Sequence, residues 1–283
     1  MIKVFAMSDF GMVSGESSAK APILILAFAG WNDAGGASTR AVRSLIEKTI
    51  AKKIMFIDSE DYYDFSRERP TVHLDGESRS LRWPENAISL SGDGSLLLME
   101  GIEPQLNWRT FSEEILTIAQ EYDVSMIVTL GALLAEVPHS RPVLIYGVSE
   151  NEGMNNQFGL QRSSYEGPTG IVGVVNQVAT DAEIPNLSLW ATVPNYVAGA
   201  ESPKAALALI DRLKSILNIS LNTTDLEIAS SAYERQINQI IEDDEDTSKY
   251  VDELEVSYDA GDYKIADPEN FVKDVENFLR DQD

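Results

Sequence analysis

The chain has 283 residues and a mass of 31.2 kDa, long enough for one large α/β domain or a domain with an appendage. Its 46 Asp and Glu against 22 Lys and Arg give a formal net charge of −24, which repels phosphate backbones and anionic lipid surfaces and argues against nucleic acid or membrane partners. With no cysteine there is no disulfide framework, no thiolate zinc site and no cysteine nucleophile, while a 43% hydrophobic content is that of a folded globular protein.

The segment Met1 to Lys20 has no charged-then-apolar signal design, and the longest apolar run, Pro22 to Ala29, is too short to span a bilayer. A soluble, cytoplasmic protein is expected. Ile23–Phe28 reads as a first strand. It stops at Gly30-Trp31-Asn32-Asp33-Ala34-Gly35-Gly36, and a small-residue helical segment, Ala37 to Ala51, follows. Strand, glycine-rich turn and helix in that order set a functional loop at the carboxyl edge of a parallel sheet.

Further strands rich in Ile, Val and Leu are predicted at Lys53–Ile57, Ser95–Met99, Ser125–Leu130, Val143–Val148 and Leu187–Val193. Between them, Phe111, Ile115, Ile118 and Tyr122 share one helical face, and Ile171, Val175, Val178 and Ala182 share another. Ala206, Leu209, Ile210, Leu213 and Leu217 form a third stripe, opened by Ser202 as N-cap and Pro203 at the first helical position. The alternation predicts an α/β fold, a largely parallel, twisted sheet with helices on both faces.

Two stretches interrupt it. Tyr62 to Asn86 is polar, and its Val72, Leu74, Leu81 and Trp83, with Ile88 beyond, point to a hairpin or a long excursion. Asn151 to Pro168, rich in Asn, Gln, Ser and Gly, reads as a mobile loop. From Asp225 to Asp283 there are 19 Asp and Glu against 5 Lys and Arg. Leu226, Ala229, Tyr233, Ile237 and Ile240 make a helical stripe there, and Phe271, Val275 and Phe278 make another after Asp267-Pro268. The acid run Glu242 to Asp246 reads as a linker between them. The expected division is an α/β domain over 1–224 and an acidic helical extension over 225–283.

The Gly30-to-Gly36 turn invites comparison with an anion cradle, because N–H groups at a helix start bind phosphate. It lacks the Lys-Ser/Thr ending of a P-loop and the spacing of a dinucleotide fingerprint, and Asp33 repels a phosphate. The plainer reading is a tight turn with Asn32 or Asp33 capping the helix, and Trp31 as a packing or interface anchor. Asp58, Glu60 and Asp61 after the second strand offer carboxylate oxygens for Mg²⁺, and Glu100 after the third has the place of a general base. Both patterns are also those of ordinary loop residues, which is the reading preferred. Neither His73 nor His139 is joined by a G-x-S-x-G elbow that would make it the base of a serine triad. No metal and no cofactor are expected. Thr169, in Gly167-Pro168-Thr169-Gly170, is a natural N-cap for the helix from Ile171. Pro194 ends a strand, so Asn195 and Tyr196 project from the sheet edge. With Gly131 and Arg141 these residues form a rim around the first turn.

Gly30-Trp31-Asn32-Asp33-Ala34-Gly35, Gly101-Ile102-Glu103-Pro104 with Trp108, Gly131-Ala132-Leu133 leading to Val137-Pro138, Gly167-Pro168-Thr169-Gly170, and Val193-Pro194-Asn195-Tyr196 with Ser202-Pro203-Lys204-Ala205-Ala206 follow one another in the order seen in the proteasome assembly chaperone 2 (PAC2) family. The chain resembles that family over roughly residues 20 to 235, and its length and acidic tail are similar to the actinobacterial members. The resemblance implies a three-layer αβα fold with a mostly parallel mixed sheet, like that of nucleoside phosphorylases and related hydrolases, assembled as a homo-oligomer. Eukaryotic relatives help build the 20S proteasome α-ring. Archaeal relatives bind proteasomes through a carboxyl-terminal hydrophobic–Tyr–any motif, and here Gln282 stands where that tyrosine would be. The family lends no catalytic residues.

The function expected is therefore an oligomeric, non-enzymatic scaffold that binds protein partners, proteasome-related ones among them. The rival expectation is a small-molecule-binding protein or enzyme with a phosphorylase-like cleft for a nucleoside, nucleotide or carboxylate. The candidate ligand or interface residues are Gly30, Trp31, Asn32, Asp33, Gly35, Gly131, Thr169, Asn195 and Tyr196.

Overall fold

Strand β1 (Ile23–Ala29) contains five consecutive residues, Leu24 to Phe28, at 1% exposure or less, so it is covered on both faces. In the computed structural model, which describes residues 21–262 apart from 77 and 164, β1 leads into α1 (Ala37–Lys48) and β2 (Lys52–Ile57). Then come β3 (Thr71–Asp75), β4 (Ser78–Arg82), β5 (Asn86–Leu90), β6 (Leu96–Ile102), α2 (Trp108–Glu121), β7 (Met126–Ala135) and β8 (Ile145–Val148). The remaining elements are α3 (Glu152–Phe158), α4 (Ile171–Asp181), β9 (Asn186–Pro194), α5 (Pro203–Leu217), α6 (Thr224–Glu242) and α7 (Glu245–Asp259). The stripe at Phe271, Val275 and Phe278 lies outside the described residues.

Seven strands form one mixed sheet in the order β2-β5-β6-β1-β7-β9-β8. Its centre is parallel: Ile25 of β1 sits between Leu98 of β6 and Val128 of β7. Strand β5 is antiparallel to β6 and to β2. The reason is the connection from Ser91 to Ser95, which is too short for a crossover and permits only a hairpin. Asp93 gathers that turn by accepting hydrogen bonds from Ser91 Oγ at 2.7 Å and from Ser95 N and Oγ at 3.0 and 2.8 Å. These bonds hold its carboxyl below the usual carboxylate range.

The excursion contains the expected hairpin, β3–β4, with Val72 opposite Leu81, and it forms a two-stranded sheet of its own. Two segments differ from expectation. Asn151 to Pro168 contains α3, because Asn151 Oδ1 accepts from Met154 N at 3.0 Å and Met154 is buried. The acid run Glu242 to Asp246 is not a linker. It is the end of α6 and the start of α7, where Asp244 is the N-cap and accepts from Asp246 N and Thr247 N. Acids are favourable at that end of a helix, so the run starts a helix.

The described chain divides into two compact units. The first holds residues 21–31, 42–130 and 170–188, the second 32–41, 131–169 and 189–262. In the first, Phe111 packs edge-on against Phe28 and Tyr62, with ring centroids 5.8 and 5.2 Å apart. There the Asn176 amide donates to Thr129 Oγ1, Ser188 Oγ and Val172 O at 2.6–2.9 Å, tying α4 to β7 and β9. In the second, Tyr233, Ile237, Ile241 and Val251 form an apolar cluster against which Tyr196 and Val197 pack. None of the described helices is long and apolar enough to cross a membrane.

A Cβ on Gly131 would lie 2.5–2.8 Å from three ring atoms of Trp190. Gly131→Ala should therefore lose about 1–3 kcal/mol through overpacking, measured as a lower urea midpoint at unchanged m.

Candidate functional site

The turn after β1 is organised by the Asp33 carboxylate, which is 8% exposed. Oδ1 accepts from Ser38 N and Ser38 Oγ, both at 2.6 Å, and from Thr39 N at 3.4 Å; Oδ2 accepts from Thr39 Oγ1 at 2.5 Å. Ser38 and Thr39 lie in the first turn of α1, where N–H groups have no partner within the helix. Asp33 thus caps α1 from before the single 3-10 turn at Ala34–Gly36. The Asn32 carbonyl accepts from Ala132 N at 2.8 Å, and Asp33 bridges Ala132 in parallel fashion, so the backbone next to Gly131 is held against the turn. Gly35 has φ +60, a left-handed conformation, and its carbonyl accepts from Ser202 N at 2.8 Å. A Cβ there would meet Ser202 Cβ at 2.9 Å. Ser202 is the expected N-cap of α5, accepting from Ala205 N.

In the first unit Glu103 acts likewise. Its N–H donates to Ala29 O at 2.8 Å, and its Oε1 accepts from Ile171 N at 2.9 Å, at the start of α4. Thr169 is therefore not the N-cap of α4. That position belongs to Gly170, which has no side chain to offer, and a carboxylate is a stronger acceptor at a helix start than a hydroxyl. Thr169 is exposed. Gly30 and Trp31 belong to the first unit, with Trp31 40% exposed. The Glu100 carboxylate accepts from Arg43 Nε at 3.0 Å, and Asp58 accepts from Glu60 N at 3.1 Å, closing a local turn. Among the described residues, no three of His, Asp and Glu converge as a metal site.

Asn195 and Tyr196 join a second constellation. Asn195 is exposed, with Nδ2 3.5 Å from Tyr250 OH. The Tyr196 hydroxyl accepts from His139 N at 2.7 Å and lies 2.8 Å from His139 Nδ1, while His139 Nε2 lies 2.7 Å from Asn238 Oδ1. An amide oxygen only accepts, so Nε2 carries the proton and Nδ1 accepts from Tyr196. Both ring nitrogens are engaged, which suits a structural histidine better than a proton shuttle. Lys204 Nζ donates to the carbonyls of His139 and Arg141 and pairs with Glu234. Arg141 binds Asp259 through two nitrogens at 2.7 and 2.8 Å and Glu255 at 3.3 Å, while Tyr258 OH donates to Pro142 O at 2.9 Å. Helices α6 and α7 thus clasp the loop from 137 to 143. A cleft with room for about one water lies at that loop, between Val137, Thr192, Pro194 and Tyr233.

Sequence reading assigned no site role to Glu103 or Lys204. Each stands inside a motif quoted above, Gly101–Pro104 and Ser202–Ala206, and that was the available signal. What they touch is remote in sequence and was not readable.

The PAC2 family model matches residues 27–241. A PAC2 family protein from Streptomyces avermitilis is 40% identical, with a TM-score of 0.76 over 81% of this chain and 99% of that one. The proteasome-assembly chaperone homologue of Mycobacterium tuberculosis is also 40% identical, with a TM-score of 0.74 and the same coverage. Pyrococcus furiosus PbaB, an archaeal proteasome activator, shares the fold at 16% identity, with a TM-score of 0.64 over 84% of this chain and 97% of that one. No curated protein matches the chain.

Two outcomes follow from the geometry. Asp33→Ala should cost about 1–2 kcal/mol of stability, read in urea denaturation, by uncapping α1. His139 is held below its ordinary 6.5, chiefly by burial and also by Lys204, against the opposing effects of Asn238, Glu234 and Glu255. The unfolded chain then binds the proton first, so this part of the stability is full above about pH 6.5 and is lost as pH falls toward the depressed folded value. His139→Gln should flatten the fall in denaturation midpoint just below pH 6.5, whatever its effect at pH 7.5.

Proposed function

The chain belongs to the PAC2 family, and on that premise we propose that it is a cytoplasmic protein-binding scaffold of the assembly-chaperone kind. It works as a homo-oligomer and without catalysis, and its partners are proteasome-related proteins. In this reading the α/β domain over 1–224 is the scaffold, and the acidic extension from 225 is part of its contact surface. Trp31 and the neighbouring Gly30 serve protein contacts, and Asn32, Asp33, Gly35 and Gly131 shape the turn that presents them. Thr169, Asn195 and Tyr196 are candidate contact residues at the ends of other elements.

The observation that carries this reading beyond family membership is the state of two helix starts. A phosphorylase-like cleft needs donors free to meet an anionic substrate, and helix N-termini are the usual source. Here Asp33 occupies the N–H groups of Ser38 and Thr39, and Glu103 occupies that of Ile171. Two carboxylates in those places oppose a nucleotide, a phosphate or a carboxylate ligand.

Native co-purification of the tagged full chain from cell extract, read by mass spectrometry, should recover proteasome subunits in excess over an untagged control. Recovery of no protein partner would overturn the proposal. In a thermal-shift screen, nucleosides, nucleotides and dicarboxylates should leave Tm unchanged. A rise of several degrees that vanishes in Asp33→Asn would favour the ligand-binding alternative.

A further inference from the structure

Two Asp-Gly pairs occur in the chain, Asp75-Gly76 and Asp93-Gly94, and both sit in tight turns between antiparallel strands. Such a pair carries a reactivity of its own. The amide nitrogen of the second residue can attack the side-chain carboxyl carbon of the first. Glycine favours the attack, because no Cβ blocks the approach and its backbone turns freely. A C–N bond forms, the carboxyl C–O bond breaks, and one water leaves with the amide proton and the carboxylic hydroxyl. The product is a cyclic imide. Water then opens the ring at either carbonyl, adding its hydroxyl to carbon and its proton to nitrogen. Opening at the side-chain carbonyl returns aspartate, and opening at the main-chain carbonyl gives isoaspartate, whose backbone runs through Cβ. Water is the one co-reactant and nothing is oxidised or reduced.

The fold treats the two pairs differently. At Asp93 both reactive groups are engaged. The carboxylate accepts from Ser91 Oγ, Ser95 N and Ser95 Oγ at 2.7, 3.0 and 2.8 Å, and the Gly94 amide donates to Ser91 O at 2.9 Å. Imide formation there requires breaking these bonds, which also favour the ionised carboxyl, the form without a leaving hydroxyl. At the tip of hairpin β3–β4 nothing comparable holds the pair. Leu74, Asp75, Gly76 and Ser78 are exposed. Among the described residues, neither the Asp75 carboxylate nor the Gly76 amide has a hydrogen-bond partner, and the side-chain tie at the tip is Ser78 Oγ donating to the Asp75 carbonyl at 2.9 Å. A Cβ on Gly76 would meet nothing within 4 Å. The two strands pair as a sheet of their own, and so small a ribbon opens readily, which gives the turn the rotation that the attack needs. We propose that Asp75-Gly76 is a site of spontaneous conversion to isoaspartate, and that Asp93-Gly94 is spared by its hydrogen bonds. The product adds one backbone carbon to a two-residue connection whose length fixes the register of Thr71–Asp75 against Ser78–Arg82. Conversion therefore loosens the hairpin and leaves the seven-stranded sheet in place. The inference is independent of the proposed partners and of the oligomeric state.

Ageing of the purified full chain tests it, in warm, mildly acidic buffer where circular dichroism shows the protein folded. Electron-transfer fragmentation of tryptic peptides distinguishes isoaspartate from aspartate at each position, and methyl transfer from labelled S-adenosylmethionine by an isoaspartyl methyltransferase measures the total. Isoaspartate should form at 75 at least about tenfold faster than at 93. Asp75→Glu, at an exposed position outside the candidate site, should abolish most of the methyl label. In folded Ser91→Ala, Ser95→Ala protein, which lacks two of the three donors to Asp93, conversion at 93 should rise several-fold. No conversion at 75 over a period in which a free peptide spanning Thr71 to Arg82 converts would overturn the proposal, as would equal rates at 75 and 93. Methyl label undiminished in Asp75→Glu would overturn the assignment to Asp75. An unchanged rate at 93 in the double variant would overturn hydrogen bonding as the reason that Asp93 is spared.

Discussion

The Asp33 carboxylate is the constraint from which the candidate site takes its form. A buried carboxylate is tolerated only where donors replace its water, and four hydrogen bonds from Ser38 and Thr39 do so. Meeting them requires the chain to leave β1, pass through Gly35 in a left-handed turn and start α1 within reach of the aspartate. That path leaves the Asn32 carbonyl facing Ala132 and the Gly35 carbonyl facing Ser202, so one side chain orders three backbone segments of its unit. The same bonds fill the helix start that a ligand would need. A turn that resembles an anion cradle in sequence is, in the folded chain, already occupied by the protein's own anion.

The acidic surplus of the carboxyl-terminal helices is partly directed inward. Glu234, Glu255 and Asp259 meet Lys204 and Arg141, and Lys204 reaches two loop carbonyls as well. Exposed ion pairs contribute little singly, but here they accompany the apolar cluster of Tyr233, Ile237, Ile241 and Val251 and the hydrogen bonds of buried His139 with half-buried Tyr196 and exposed Asn238. Helices α6 and α7 are consequently both a structural clasp on the 137–143 loop and, on their outer faces, a strongly negative surface.

Much of this was legible from local pattern. The continuous apolar runs marked β1, β6, β7 and β9, because strands covered on both faces have no polar alternation. The Ser202-Pro203 start of α5 was legible because capping chemistry depends on residues three apart in sequence. Strand β5 escaped notice at the end of a polar excursion, and the start of α7 was read as part of a linker because a run of acids has the composition of a solvated loop until a helix axis orients it. Thr169 was assigned a cap by the same local logic, but a carboxylate from 66 residues earlier, Glu103, holds the helix start.

By itself, then, the sequence determined the alternating α/β framework, the place of the glycine turn and the charge imbalance, all of which depend on neighbours along the chain. Tertiary structure decided what the polar residues are for. Whether Asp33, Glu103 or His139 meets a ligand or a backbone N–H depends on which distant segment approaches within hydrogen-bonding distance, and only folding brings that segment there.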